Sequence, residues 1–471
     1  MRAVLVIAML GLVACSTKPN PNLCCTDQAD CDAHGIPVGT SCGDGLLCRG
    51  NQCIAETCSS NQECDAAAPF CVAQACTEQC SEDSQCPGYG EDASAVFCVS
   101  GACEQCRTDA DCPSNAPACD MGTCHGCTVH SECASNLCDT DTQTCVPEES
   151  VIYADPSGSA TGDCSMTAPC SFAHAFEVVT ATRNQIKLAP GEYTDGSVNV
   201  VGTQVVTVYG PATITGVSAM DGATLRVRDV TSNAGFGCLP SQHGMPISHV
   251  DLERVTIADN RSLYVEACDL TMSQGKLRIT MVGAAPIQVI GDEGHSSITI
   301  DRSTLEGGDP ALVIGYDATF TVTNSVFLNQ GTMYGAIQLG NTSTTTSSVS
   351  FSTFYNSIMK CPTVQGIGSF SSSNNIIVNK RSGAPADTVT GTYCTHDYDL
   401  VMPQSTALNG AHNQLGVDPK FADTTISDFH LKTGSPAIDA ADPSSTLSID
   451  YDGTTRPQGP ARDVGAFEYK P

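Results

Sequence analysis

Arg254, Arg278 and Arg302 lie 24 residues apart, each one period of the surrounding sequence after the last. If each belongs to one of a series of stacked strands, about 4.8 Å apart, three guanidinium groups form one outward ladder. Like charges stacked so closely repel, so counter-charges or an anionic ligand must offset the cost. Glu253, Asp301 and Asp229 stand at or beside the same positions, which favours an internally compensated salt-bridge strip. The sharper expectation is that the strip contacts a ligand, because planar guanidinium forks suit carboxylates and hydroxyl groups. His243, His249 and His295 could act as bases, and Asp292-Glu293 sits between Gly291 and Gly294, where a solvated turn is the simpler reading. No nucleophile motif, phosphate loop or dinucleotide fingerprint is present, so catalytic residues stay unassigned.

Cysteine is the other reactive type, 29 in 471 residues, with no Trp and only 15% charged residues. Such usage fits an oxidising compartment. Arg2 precedes an unbroken apolar run from Ala3 to Ala14, too short to span a bilayer and followed by Cys15, as in a signal peptide over 1–14. Leu12-Val13-Ala14-Cys15 resembles the lipobox of bacterial lipoproteins, which implies lipidation of Cys15 and a linker over 15–23. The remaining 28 cysteines are even in number, so all can pair, with connectivity open. Twenty-two fall between Cys24 and Cys145, where few large apolar residues could build a core.

Sixteen of them form four units of about 21 to 26 residues: Cys58, Cys64, Cys71, Cys76; Cys80, Cys86, Cys98, Cys103; Cys106, Cys112, Cys119, Cys124; and Cys127, Cys133, Cys138, Cys145. Five residues separate the first two cysteines of every unit. Glu63, Gln85, Asp111 or Glu132 precedes the second. The module resembles small cysteine-rich repeats of bacterial surface lipoproteins and, distantly, EGF or dickkopf-type knots. Zinc is disfavoured, because its cysteine pairs are typically two to four residues apart. No cofactor is expected; calcium at Asp109 and Asp111, or at the Asp450-Tyr451-Asp452-Gly453 loop, is weighed against plain turns, which are favoured.

From Val151 the composition shifts to β-branched residues, Gly, Asn and Ser. Phe172, Ala175, Phe176 and Val179 share a helical face, predicting a short helix that caps a solenoid. Beyond it, rungs align on Ile257: Val250, Leu252 and Val255 match Leu225, Val227 and Val230 before and Ile298, Ile300 and Ser303 after, with a bend between the second and third of these positions. Steps of 22 to 27 residues with short strands predict an all-β, right-handed parallel β-helix solenoid over 148–471, preceded by a loop-dominated, disulfide-rich module over 24–147. Asn324, Asn329, Asn374 and Asn379 fall where strands give way to turns. Sequence proximity suggests the disulfides Cys164 with Cys170, Cys238 with Cys268, and Cys361 with Cys394.

Near the end come Val417-Asp418-Pro419-Lys420-Phe421, Asp428-Phe429-His430-Leu431, Gly434-Ser435-Pro436-Ala437-Ile438-Asp439, Asp452-Gly453, Arg456-Pro457 and Asp463-Val464-Gly465-Ala466-Phe467-Glu468-Tyr469. This series resembles the terminal signature of secreted bacterial right-handed parallel β-helix repeat proteins, some described as polysaccharide lyase-like. The resemblance implies that the segment finishes the last coils and covers the open end. It also raises two enzymatic readings, a lyase needing a base with cations or calcium and a hydrolase needing opposed carboxylates. The reading preferred from the sequence is a lipid-anchored surface protein, outer-membrane or extracellular, that serves adhesion or binds a polysaccharide or envelope glycan without turnover. A net charge of −30 argues against nucleic acid as partner, the membrane is met through the lipid alone, and oligomeric state is not legible.

Overall fold

The computed structural model describes residues 79–86, 97–281, 285–289, 295–314, 318–330, 335–339, 347–360, 370–381, 389–390, 394–405 and 408–471, with short strands at 46–49, 52–55, 70–72 and 75–77. Cys15 and the segment around it, Asp292-Glu293 and Cys361 lie outside these residues. Two compact units divide after Val146.

In the first unit the cysteines pair first with third and second with fourth: Cys80–Cys98 and Cys86–Cys103, Cys106–Cys119 and Cys112–Cys124, Cys127–Cys138 and Cys133–Cys145. The third and fourth are cross-strand neighbours in a hairpin, Cys98 opposite Cys103 and Cys119 opposite Cys124, so both reach back to the segment holding the first two. The polar residue before each second cysteine ends a 3-10 turn and caps it. The Gln85 side-chain oxygen accepts the backbone N–H groups of Ser81 at 2.7 Å and Glu82 at 3.2 Å. Asp111 does the same for Arg107 and Thr108, and Glu132 for Thr128 and Val129. Residues two positions earlier tie turn to hairpin: Asp83 accepts the N–H of Cys98 at 2.9 Å and Asp109 that of Cys119 at 2.8 Å. Asp109 and Asp111 are thus turn builders. Among the described residues, the cysteine triplets close enough to ligate a metal consist of disulfide-bonded sulfurs.

The second unit is a parallel β-helix of about eight turns. Among the described residues, one parallel sheet of 19 strands wraps round a bend and a second parallel sheet of seven closes the coil. Helix Phe172–Glu177 buries Phe172, Ala175 and Phe176, with Ser171 capping its first turn; Cys164–Cys170 closes the loop before it, and Cys238–Cys268 staples adjacent coils. Cys394 is also disulfide-bonded.

From Thr224 on, each described coil turns its corner on one residue with positive φ: Asp229, Arg254, Gln274, Arg302, Asn324, Phe351, Asn374 and Tyr398. Left-handed φ is costly for most side chains and easiest for Asn and Asp, which explains Asn324 and Asn374; Asn329 adopts it at the next turn. Flanking the corner, Val250, Leu252, Val255 and Ile257 point inward and are buried. In later coils the residue just past the corner is polar, and its side-chain oxygen accepts the backbone N–H of its counterpart one coil earlier. Ser303 accepts from Gly275, Ser325 from Ser303, Ser352 from Ser325, Asn375 from Ser352 and Asp399 from Asn375, at 2.8 to 3.2 Å. This interior chain satisfies buried N–H groups the corner takes out of the sheet. Beside it Phe327 stacks on Phe354 with centroids 4.5 Å apart.

The last coil ends on Gln414–Leu415, just before the terminal signature, where Gln414 pairs with Leu400 and Leu415 with Val401. Beyond it, the chain turns back along the flank as a strap. Phe421, Phe429, Leu431, Ala437, Val464, Ala466 and Phe467 pack on outward-facing Val326, Leu328, Ile376, Val378 and Leu400, forming a second core outside the coil. Its centre is Arg456, 3% exposed, whose guanidinium donates to Glu468 at 3.0 Å and to the carbonyls of Asp463 and Gly465, and lies over the Phe351 ring. Asp450 accepts the N–H groups of Asp452, Thr454 and Glu468, making the 450–453 loop a turn.

Candidate functional site

The strap covers only part of one flank, and the cause lies in the residues of that flank. On the outward side of the strands just past the corner, register rows run Thr256, Lys276, Thr304, Val326 and Arg278, Glu306, Leu328. The early coils present polar residues to water; the late coils present apolar ones that need cover. A cleft of about 430 Å³ opens where the cover ends, floored by Thr256, Lys276, Arg278, Thr304 and Glu306 and walled by Ser427, Phe429, Tyr451 and Phe467 of the strap. A second hollow of about 350 Å³ shares Arg278 and Glu306 and continues to Asp309 and Arg381.

Arg278 sits at the junction, half-exposed. Its guanidinium lies 3.4 Å from Asp259 and 3.5 Å from Glu306, so one cation stands between the carboxylates of the coils before and after it. Tyr451 is fixed from both sides: its hydroxyl is 2.8 Å from that of Thr304 and its ring packs on Phe467 with centroids 5.0 Å apart. Behind Phe467 lies His430, ring centroids 4.4 Å apart, with Nδ1 2.6 Å from Asp428 and Nε2 2.7 Å from Asp452. Burial acts to lower the His430 pKa, but its bonds to Asp452 and Asp428 together prevail and raise it. At the far end Arg381 donates to the Gln330 carbonyl; burial lowers its pKa and Asp309 opposes that shift.

The expected ladder of three arginines does not form. Arg254 and Arg302 do occupy the corner, but the corner residue between them is Gln274, and Arg278 lies four residues beyond, on the next strand and facing the cleft. Coil length is the reason: 20 residues separate Arg254 from Gln274 and 28 separate Gln274 from Arg302, so a fixed step of 24 lands on the wrong side of the bend. Arg254 forks onto Asp229, Nε to Oδ1 at 2.7 Å and Nη2 to Oδ2 at 3.0 Å, and also meets Glu253. Arg302 pairs with Asp301 at 2.9 Å. The corner is therefore a compensated strip. His249 pairs with Asp269 at 3.2 Å, and neither it, His243 nor His295 lines the cleft.

Sequence reasoning missed Asp259, Lys276, Glu306, Tyr451 and Phe467. The available signal was the change from Lys276-Leu277-Arg278, alternating, to Val326-Phe327-Leu328 and Ile376-Ile377-Val378, apolar on both faces. Strands apolar on both sides are covered on both sides.

No family model matches the chain, and no curated protein matches it closely enough to count as a relative. Among solved structures, the crystal structure of pectate lyase Pel9A is similar over 69% of this chain and 98% of that one, at 15% identity and a TM-score of 0.41.

Proposed function

We propose that the protein is an exported, lipid-anchored surface protein that binds a polysaccharide in the cleft beneath its strap, without turnover. The observation that carries this reading is the Arg278 junction, where a half-exposed guanidinium and two carboxylates form the floor under an aromatic wall of Tyr451 and Phe467. Guanidinium and carboxylate groups are fork-shaped partners for sugar hydroxyls, and a fixed ring with a polar tip offers a face to the apolar side of a pyranose. Stacked coils about 4.8 Å apart make the floor a linear, repeating surface suited to a linear polymer. The signal-like apolar run ending at Cys15 and the paired cysteines support export and anchoring.

One observation favours a hydrolase as second reading, since Asp259 and Glu306 face the same cleft as an acid and base would. Both are held by the same guanidinium, which supports binding instead. Incubation with pectin, xylan, alginate, chitosan and peptidoglycan, followed by assays for unsaturated products and new reducing ends, separates the two. Retention on one polymer without products is expected; products that vanish in Glu306→Gln would overturn the non-catalytic reading.

A further inference from the structure

The His430 bridge has a chemical requirement that geometry alone imposes. Both ring nitrogens face carboxylates, Nδ1 toward Asp428 at 2.6 Å and Nε2 toward Asp452 at 2.7 Å. An ionised carboxylate only accepts, and a neutral imidazole has one N–H, so both bonds coexist only when the ring is an imidazolium. Deprotonation leaves a ring lone pair against a carboxylate oxygen, and one contact must open.

The two contacts are not equivalent. Asp428 lies on the same strand as His430, Asp428–Leu431, and its carboxylate also accepts the His430 backbone N–H at 3.1 Å. Asp452 belongs to the separate 450–453 turn, and His430 supplies the bond that ties its carboxylate across to the hairpin of strands Phe421–Asp423 and Asp428–Leu431. The residues beside this bond, Phe429 and Tyr451, both line the cleft, and Phe467, on which the His430 ring packs, completes the wall. The other charges facing the group are Asp423 and Lys432 on or next to its own hairpin, Asp450 beneath the turn, and the Arg302 guanidinium, which approaches Gly453 from the solenoid. Arg302 is held by Asp301 and supplies no acceptor for the ring.

We propose that His430 is a proton-dependent latch on the cleft wall: as an imidazolium it clamps the 450–453 turn to the hairpin and holds Tyr451 and Phe467 in place, and on losing its proton it releases Asp452 and loosens that wall. The regulatory consequence rests on the cleft being the binding site; the latch itself does not. Carboxylates on both sides raise the pKa of the group, so the latch stays closed through the ordinary imidazole range near pH 6.5 and opens above it.

The test is made on the whole protein without ligand. Imidazole ¹⁵N shifts report the protonation of His430, and native-state amide exchange, corrected for intrinsic rates, reports opening of 428–431 and 450–453 between pH 5 and 9. Expected are two protonated ring nitrogens at pH 6 and at least a tenfold rise in exchange of both segments as the ring titrates, with residues 298–305 unchanged. His430→Arg keeps a charge at all pH values and should abolish the rise; Asp452→Asn can donate to a neutral ring and should flatten it. A single protonated nitrogen at pH 6, or a tenfold rise that persists in His430→Arg, overturns the latch. Retention on a polysaccharide column would then be unaffected, whereas a working latch with no retention on any polymer would fault the binding reading alone.

Discussion

The two units solve the problem of a weakly hydrophobic sequence in opposite ways. In the described repeats of the cysteine-rich unit, short hairpins and 3-10 turns surround each disulfide, and order comes from covalent closure of segments of 11 to 18 residues, aided by one capping side chain per repeat. In the β-helix the cores are stacked aliphatics and rings, and the few disulfides are staples on a structure that has its own interior. The difference teaches where each unit is vulnerable. One depends on redox state and on its caps, the other on packing and on the strap that shields its apolar flank.

Reduction should therefore separate them most strongly. Closing loops of this length is worth about 3 kcal/mol per disulfide in the chain-entropy account, and each described repeat carries two. Mild reductant should expose residues 80–145 to protease while the β-helix survives, as read by mass spectrometry of the fragments; simultaneous loss of both would dissolve the comparison. Next in size are the two interiors of the β-helix. Phe327→Ala removes a fully buried stacked ring and should cost about 3–5 kcal/mol. Arg456→Ala strands buried Glu468 and its neighbours and should cost a similar 3–5 kcal/mol, appearing in denaturant melts as early detachment of the strap.

Acid should sharpen the contrast by sign. Backbone N–H groups of Arg107 and Thr108 hold Asp111 below the ordinary carboxylate range, and those of Thr128 and Val129 do so for Glu132. A lowered carboxylate stabilises above its unfolded pKa and loses that contribution as pH falls through the folded value, so the caps weaken below about pH 4. In the strap burial pushes Asp463 up to about 6. A raised carboxylate contributes below its unfolded pKa and loses that contribution as pH rises through about 6. Amide exchange between pH 3 and 7 should thus show the module tightening with rising pH while the 437–469 segment loosens slightly; parallel trends would contradict the assignment. The smallest effect belongs to the corner strip, where Arg254→Ala removes a partly exposed pair and should cost no more than about 1 kcal/mol.

Repetition made much of this legible in the sequence. The inward positions around Ile257, the corner before Val255, the cap helix and the Cys164–Cys170 and Cys238–Cys268 pairs follow from local pattern, because each coil repeats the same short-range geometry. Arg278 was misplaced because only the strands keep register, while the loops between them absorb length changes that an average period conceals. The face on which the strap docks was not legible for a different reason. The motif of the strap specifies local contacts such as Arg456 with Glu468, but the surface it docks on is written elsewhere, in the doubly apolar strands at 326–328 and 376–378. The capping role of Gln85, Asp111 and Glu132 was visible as a pattern before the second cysteine, although its purpose needed the turn geometry.

The two arginine positions also provide the most direct test of the cleft. Affinity electrophoresis through gels containing each polysaccharide of the panel compares the wild-type protein with Arg278→Ala and Arg254→Ala, which carry the same change in charge at sites of similar chemistry and different surroundings. The account predicts that one polymer retards the wild type and Arg254→Ala equally and that Arg278→Ala loses most of the retardation. Equal retardation of all three proteins, or loss confined to Arg254→Ala, would contradict it.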